Sequence, residues 1–168
     1  QPVVVEQIDV APPQAGEVMI KLAACGVCHS DLSATNGTIA FAPPLILGHE
    51  GAGVVVAVGP GVADLALGDH VLSSFVTMCG LCHYCTIGRP ALCELGARPL
   101  TTLPSGQLRT TDANGQPLNV FSGCGVMAEY ATLDTRSLIK IAADAPLRAA
   151  ALVGCGVMTG FCAATNTA

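Results

Sequence analysis

Four of the chain's nine cysteines fall within fifteen residues, in the run C-G-L-C-H-Y-C-T-I-G-R-P-A-L-C from Cys79 to Cys93. Cys79, Cys82 and Cys85 are spaced C-x2-C-x2-C, and Cys93 follows after seven further residues. Each three-residue step lets two thiolates face one point from a tight turn, and the longer gap brings the fourth in from another side. That is the pattern of a closed tetrahedral S4 site, which suits zinc or iron. A pair of disulfides competes with it, but cysteines three residues apart rarely reach bridging geometry without bending the chain. The usual iron–sulfur run is C-x2-C-x2-C-x3-C-P; here the fourth cysteine comes four residues later and no proline follows it. The spacing therefore predicts a structural zinc whose four ligands leave no position for a substrate.

Three more residues could do chemistry, and they are scattered. Cys28 follows a predicted strand, His49 stands between Gly48 and Glu50, and Cys155 stands between Gly154 and Gly156. Taken singly, each has an ordinary explanation. A glycine-flanked cysteine is commonly a small buried hydrophobe, and a histidine is commonly a hydrogen-bonded structural residue.

The elements that must position these residues read as short strands. In 168 residues, 51% are hydrophobic and 11% charged, with Gly 19 and Pro 11. This is a buried, turn-rich composition of one domain, favouring strands over long helices. Val3 to Val10, Glu17 to Ala24, Val54 to Val58, His70 to Val76, Val126 to Leu133 and Ser137 to Ile141 are the expected strands. A loop with little periodicity runs from about Glu94 to Pro117. Helix is expected only at the end: Asp144 as N-cap, Leu147 to Leu152, and a further helix from Gly160. The fold expected is mainly β, a partly open barrel with a few helices. One domain would cover 1–168, with a zinc lobe at about 77–95 and a helical exit at about 144–168.

A net charge of −5 with no basic stripe excludes nucleic acid as a partner. No apolar run approaches the roughly 18 residues of a membrane span. Without a secretory leader, nine thiols point to a reducing, cytoplasmic setting.

Taken together, four motifs resemble one family. They are G-V-C-H-S-D-L at Gly26 to Leu32, G-H-E-G-A-G-V-V at Gly48 to Val55, the four-cysteine lobe, and A-L-V-G-C-G-V-M-T-G at Ala151 to Gly160. In this order they resemble the zinc-dependent medium-chain alcohol dehydrogenases, over nearly the whole chain. The resemblance implies the family's GroES-like catalytic domain, two zinc ions per chain, and NAD or NADP as cofactor. Its substrate would be a small alcohol or aldehyde, and at full length the enzyme would be a homo-oligomer. Cys28, His49 and Cys155 would hold the catalytic zinc; two thiolates and a neutral imidazole leave Zn²⁺ formally neutral with a fourth position open.

By the same resemblance Ser30 would hydrogen-bond the alcohol and start a proton relay, and His29 would approach the cofactor's pyrophosphate. Glu50 would be a carboxylate close to the metal, and Asp31 would accept the second N–H of His49 and fix its tautomer. The zinc would act as a Lewis acid on the alcohol oxygen while hydride passes to nicotinamide. Phe75, Phe121, Ile39 and Ser122 align with the pocket region, although core packing competes for both phenylalanines. Several members carry a histidine three residues after the relay hydroxyl; this chain has Ser33 there.

No G-x-G-x-x-G follows a strand and opens a helix, so the nucleotide-binding domain of the family is not read in these residues. The chain by itself is expected to be inactive. The alternative is a zinc-bound β-barrel serving as a scaffold, which would need the lobe but no open metal site. Cys25, Cys124 and Cys162 are expected to be buried thiols.

Overall fold

The computed structural model describes residues 2–96 and 101–167. Nine strands form one five-stranded sheet and two small ribbons among these residues. Strands β2 (Glu17–Cys25), β4 (Gly51–Val58) and β5 (His70–Ser73) make the centre of the sheet, with β8 (Tyr130–Asp134) and β9 (Leu138–Lys140) at its edges. The order is β8-β2-β4-β5-β9, every neighbouring pair antiparallel. β1 (Asp9–Val10) pairs with β6 (Thr110–Thr111), and β3 (Leu45–Ile46) runs parallel to β7 (Asn119–Val120).

The two edge strands show that the sheet is curled. Only the three residues Thr135–Ser137 join β8 to β9. Laid flat, those edges would stand four strand spacings apart, about 19 Å, whereas the short link spans at most about 14 Å. The edges do not pair with each other, so the barrel is partly open, as expected from the sequence.

One face of the curled sheet buries Val18, Ile20, Val55, Val71, Val126 and Leu133, each 0–2% exposed. Each such side chain contributes about 1.5–3 kcal/mol. On the other face Ala52 and Leu72 pack with Ala151, Leu147 and Val153 of the helical exit. That second contact seats the segment carrying Cys155.

Several elements differ from the sequence reading. Val3, Val4 and Val5 are exposed and lie outside any strand; valine favours strands only where a ladder partner is present. The strand at His70 ends at Ser73 instead of Val76, and the last two expected strands shorten to β8 and β9. Helix α1 (His29–Asn36) was not expected, because its buried residues are Asp31 and Ser33 and it has no apolar stripe. In the cysteine lobe lies the single turn α2 (His83–Thr86). At the exit, α3 (Leu147–Ala150) takes Pro146 and not Asp144 as its N-cap. A 3-10 turn, Ala151–Gly154, follows, and α4 (Gly156–Asn166) begins four residues earlier than expected. Residues 97–100 of the expected loop and residue 168 of the expected exit lie outside the described residues.

Candidate metal and substrate site

The turn between β2 and α1 presents Cys28 at the helix N-cap, in extended conformation (φ −104, ψ 155). Asp31 fixes that turn. Its Oδ2 accepts the N–H of Cys28 at 3.0 Å, and its Oδ1 accepts the N–H of Gly48 at 3.0 Å. One carboxylate thus joins the segments bearing Cys28 and His49. The Cys28-x-x-Asp31 spacing, a cap closed from the third helical residue, was the sequence signal for α1.

Gly48 has φ 92, and a Cβ there would press on the Met127 backbone and the Cys25 sulfur, so only glycine turns the chain toward His49. Gly26 is needed for another reason: a Cβ would collide with the Glu50 carboxylate. Cys155 arrives from the far end of the chain, between the 3-10 turn and α4.

These segments bring one donor atom each of Cys28, His49, Glu50 and Cys155 within 4.8 Å of one another. The first, second and fourth are the expected set. Glu50 was expected behind the ligands, and the structure places its carboxylate among the donor atoms. Nδ1 of His49 lies 3.5 Å from Asp31 Oδ1, which leaves Nε2 as the nitrogen for a metal.

The charges of this group fit a cation. Burial and the neighbouring Cys28, with Glu50, push the Cys155 thiol up to about 12. Burial opposes ionisation of Cys28 too, but the Ser30 N–H and hydroxyl and the His49 ring hold its thiol below the ordinary value. Burial also works against a charged His49, yet Asp31 and Cys28 raise it above its usual range. Two thiols, a carboxylate and an imidazole converging on one point are a donor set that a divalent cation would satisfy.

The second group is the cysteine lobe. One Sγ each of Cys79, Cys82, Cys85 and Cys93 lies within 4.8 Å of the other three, and all nine cysteines of the chain are free thiols. Backbone N–H groups point at the sulfurs: Cys82 N and Leu81 N toward Cys79 Sγ at 3.3 and 3.5 Å, and Cys79 N toward Cys93 Sγ at 3.3 Å. Burial resists it, but the N–H groups of Cys79, Gly96 and Leu95 bring the Cys93 thiol down to about 6. Burial and the neighbouring sulfurs push Cys85 up to about 12. Four free sulfurs converging on one point, with backbone N–H groups directed at those of Cys79 and Cys93, fit a closed metal site.

Beside the first group opens a cavity of about 140 Å³, lined by Ser30, Ile39, Phe41, His49, Phe75, Phe121, Ser122 and Cys155. All four expected pocket residues are there. Phe75 and Phe121 stand edge-on to the His49 ring, with centroids 5.4 and 5.3 Å away, and Phe41 packs edge-on to Phe121 at 4.8 Å. Phe121 is also 2% exposed, so it is wall and core at once. Phe41 was missed, lying in an A-F-A-P-P loop without periodicity. Ser122 lines the cavity at φ 53, a left-handed conformation that serine seldom adopts. Ser30 Oγ is 3.6 Å from Cys28 Sγ. His29 is exposed, its Nδ1 3.3 Å from the Ser33 hydroxyl.

An open Cys2His donor set on a curled β-sheet, with a separate four-cysteine lobe, agrees with one more observation: residues 14–143 match the alcohol dehydrogenase GroES-like domain. The chain belongs to that family. It is 43% identical over 173 residues to alcohol dehydrogenase class-3 of Drosophila melanogaster, covering 100% of this chain and 45% of the relative. It is 41% identical over 165 residues to an NDMA-dependent alcohol dehydrogenase of Amycolatopsis methanolica, covering 98% of the chain and 44% of the relative. An alcohol dehydrogenase zinc-binding domain protein from Burkholderia ambifaria superposes with a TM-score of 0.91 at 36% identity, over 99% of this chain and 46% of that one. Benzyl alcohol dehydrogenase from Acinetobacter calcoaceticus gives 0.83 at 32% identity, over 95% and 43%. This GroES-like chain spans less than half the length of the curated relatives it matches.

Proposed function

We propose that the chain is the catalytic-domain portion of a zinc-dependent alcohol dehydrogenase, acting on a small alcohol or aldehyde with NAD or NADP. The observation that carries this reading is the convergence of Cys28, His49 and Cys155 beside an apolar cavity that also receives the Ser30 hydroxyl. A scaffold has no use for a metal-ligand group of which His49 and Cys155 face a cavity.

Cys28, His49 and Cys155 would hold a zinc ion, which when bound supplies Lewis acidity to an alcohol oxygen. Ser30 is the group placed to take the alcohol proton, since a hydroxyl both accepts and donates. Asp31 lies 3.5 Å from Nδ1 of His49, which leaves Nε2 for the metal. The Glu50 carboxyl group lies beside it. Phe41, Phe75 and Phe121 exclude water from the space where the carbon would sit. Their flat walls, around a volume close to the roughly 150 Å³ of a cavity known to take benzene, favour a ring-bearing alcohol over ethanol. Fold likeness to a benzyl alcohol dehydrogenase supports that choice.

Cys79, Cys82, Cys85 and Cys93 would hold a second, structural zinc. His29 would contact the nucleotide cofactor. Nine free thiols suit a reducing compartment, and we place the protein in the cytoplasm.

The test is NAD(P)H formation by a zinc-loaded protein extended to the length of its relatives. Benzyl alcohol should be turned over with a higher kcat/KM than ethanol. A folded protein with two zinc ions that turns over no alcohol overturns the reading.

A further inference from the structure

We propose that Ser73 is the positioning residue that locks His49, Glu50 and Cys155 into one donor group. The inference rests on the metal reading above. Ser73 ends β5 and is 0% exposed. Its hydroxyl accepts the N–H of Gly51 at 2.8 Å and donates to the carbonyl of His49 at 3.0 Å. Those two peptide groups flank Glu50, so a single hydroxyl fixes the backbone on both sides of the carboxylate and at the imidazole.

The reason lies in the ladder. β4 and β5 pair through Val54↔His70, Gly53↔Val71 and Ala52↔Leu72, and the next position would set Gly51 against Ser73. There β4 keeps its pairing with β2 at Cys25 but has left β5, and the Ser73 hydroxyl takes the Gly51 N–H in place of a backbone rung. The Ser73 carbonyl does the other half. A Cβ at Gly154 would strike that oxygen, so the residue before Cys155 rests directly on the Ser73 backbone. His49 and Cys155 come from opposite ends of the chain, and Ser73 touches the segments of both. It does not line the cavity, so its effect is exerted through the donors and not on a substrate.

Alanine at 73 leaves a buried N–H and a buried carbonyl without partners. The test uses this chain and Co²⁺ as probe, read by thiolate charge-transfer and ligand-field bands. The wild type is expected to bind two Co²⁺, one at the four-cysteine lobe, which serves as internal reference. Ser73→Ala should weaken the Cys28–His49–Cys155 site about ten-fold or more and alter its ligand-field bands, with the lobe unchanged. Ser73→Thr, which restores the hydroxyl, should recover affinity and spectrum. If Ser73→Ala does not fold, Ser73→Gly, which also removes the hydroxyl and both hydrogen bonds, should show the same selective loss. Equal Co²⁺ affinity and spectra in the folded variant and wild type overturn the role of Ser73 while leaving the metal reading standing. A wild type that binds Co²⁺ only at the lobe overturns both.

Discussion

Oδ1 of Asp31 lies 3.5 Å from Nδ1 of His49, with each side chain only 4% exposed. The same carboxylate accepts the backbone N–H groups of Cys28 and Gly48. Burial resists its ionisation, but these three donors hold Asp31 below the usual carboxylate range. Asparagine would keep the shape and lose one acceptor, setting an NH2 against a backbone N–H or the imidazole. Asp31→Asn is therefore expected to lower metal affinity at the Cys28–His49–Cys155 site by about 10–100-fold. Chelator competition measures it; unchanged affinity would remove Asp31 from this role.

The cysteine lobe makes a different prediction. Between residues 77 and 96 only Thr77 and Cys93 are buried, so little apolar burial orders it. It is moored by Thr77 Oγ1 to Ser137 Oγ at 2.8 Å. Metal binding must supply the remainder. Cys82→Ser should remove one metal equivalent and open the amides of this segment to hydrogen exchange, while the β2–β4 amides stay protected. Exchange mass spectrometry reads both regions in one sample, and continued protection of the lobe would refute a structural metal there.

The two groups were unequally legible in the sequence, for physical reasons. Four thiols on adjacent turns announce themselves by spacing alone. Cys28, His49 and Cys155 meet only because β4 runs between β2 and β5 and the exit segment packs across Ala52 and Leu72; no local pattern carries that information, and the family's motif order had to. Valine-rich residues 3–5 were over-read because propensity does not provide a partner strand. Helix α1 was under-read because Asp31 closes its N-terminus and polar groups fill its buried face. Ser73 gave no sign, since its value lies in replacing one rung of a ladder whose register is invisible before folding.

Ion pairs should rank by burial. Arg109 grips Glu17 through Nε–Oε2 at 2.7 Å and Nη2–Oε1 at 3.0 Å, with Glu17 only 3% exposed. It fastens the segment before β6 to the start of β2. Arg109→Ala would leave the buried Glu17 carboxylate without its cation, holding only the Gln14 N–H at 2.9 Å, and should cost about 3 kcal/mol. Lys140 pairs with Asp69 at 2.7 Å but is 54% exposed, and Lys140→Ala should cost at most about 1 kcal/mol. Urea denaturation of the two variants tests the order, and equal losses would contradict it.

The last prediction concerns alkaline pH. Cys124 is 1% exposed in the main core, and burial, with a smaller contribution from Cys25, pushes its thiol from an ordinary 9.0 up to about 12. The folded state therefore keeps the proton after the unfolded chain has begun to release it. Stability from this group is complete below about pH 9 and declines as the pH rises toward 12. Cys162, which sequence reading had expected to be buried, is exposed on α4, so it should react with iodoacetamide in the folded protein at mild alkaline pH while Cys124 does not. Cys124→Ala leaves a small cavity and should be less stable than wild type at pH 7, yet lose less between pH 9 and 11. Denaturation midpoints across that range measure the slope, and parallel curves for the two proteins would mean that Cys124 is not the group responsible.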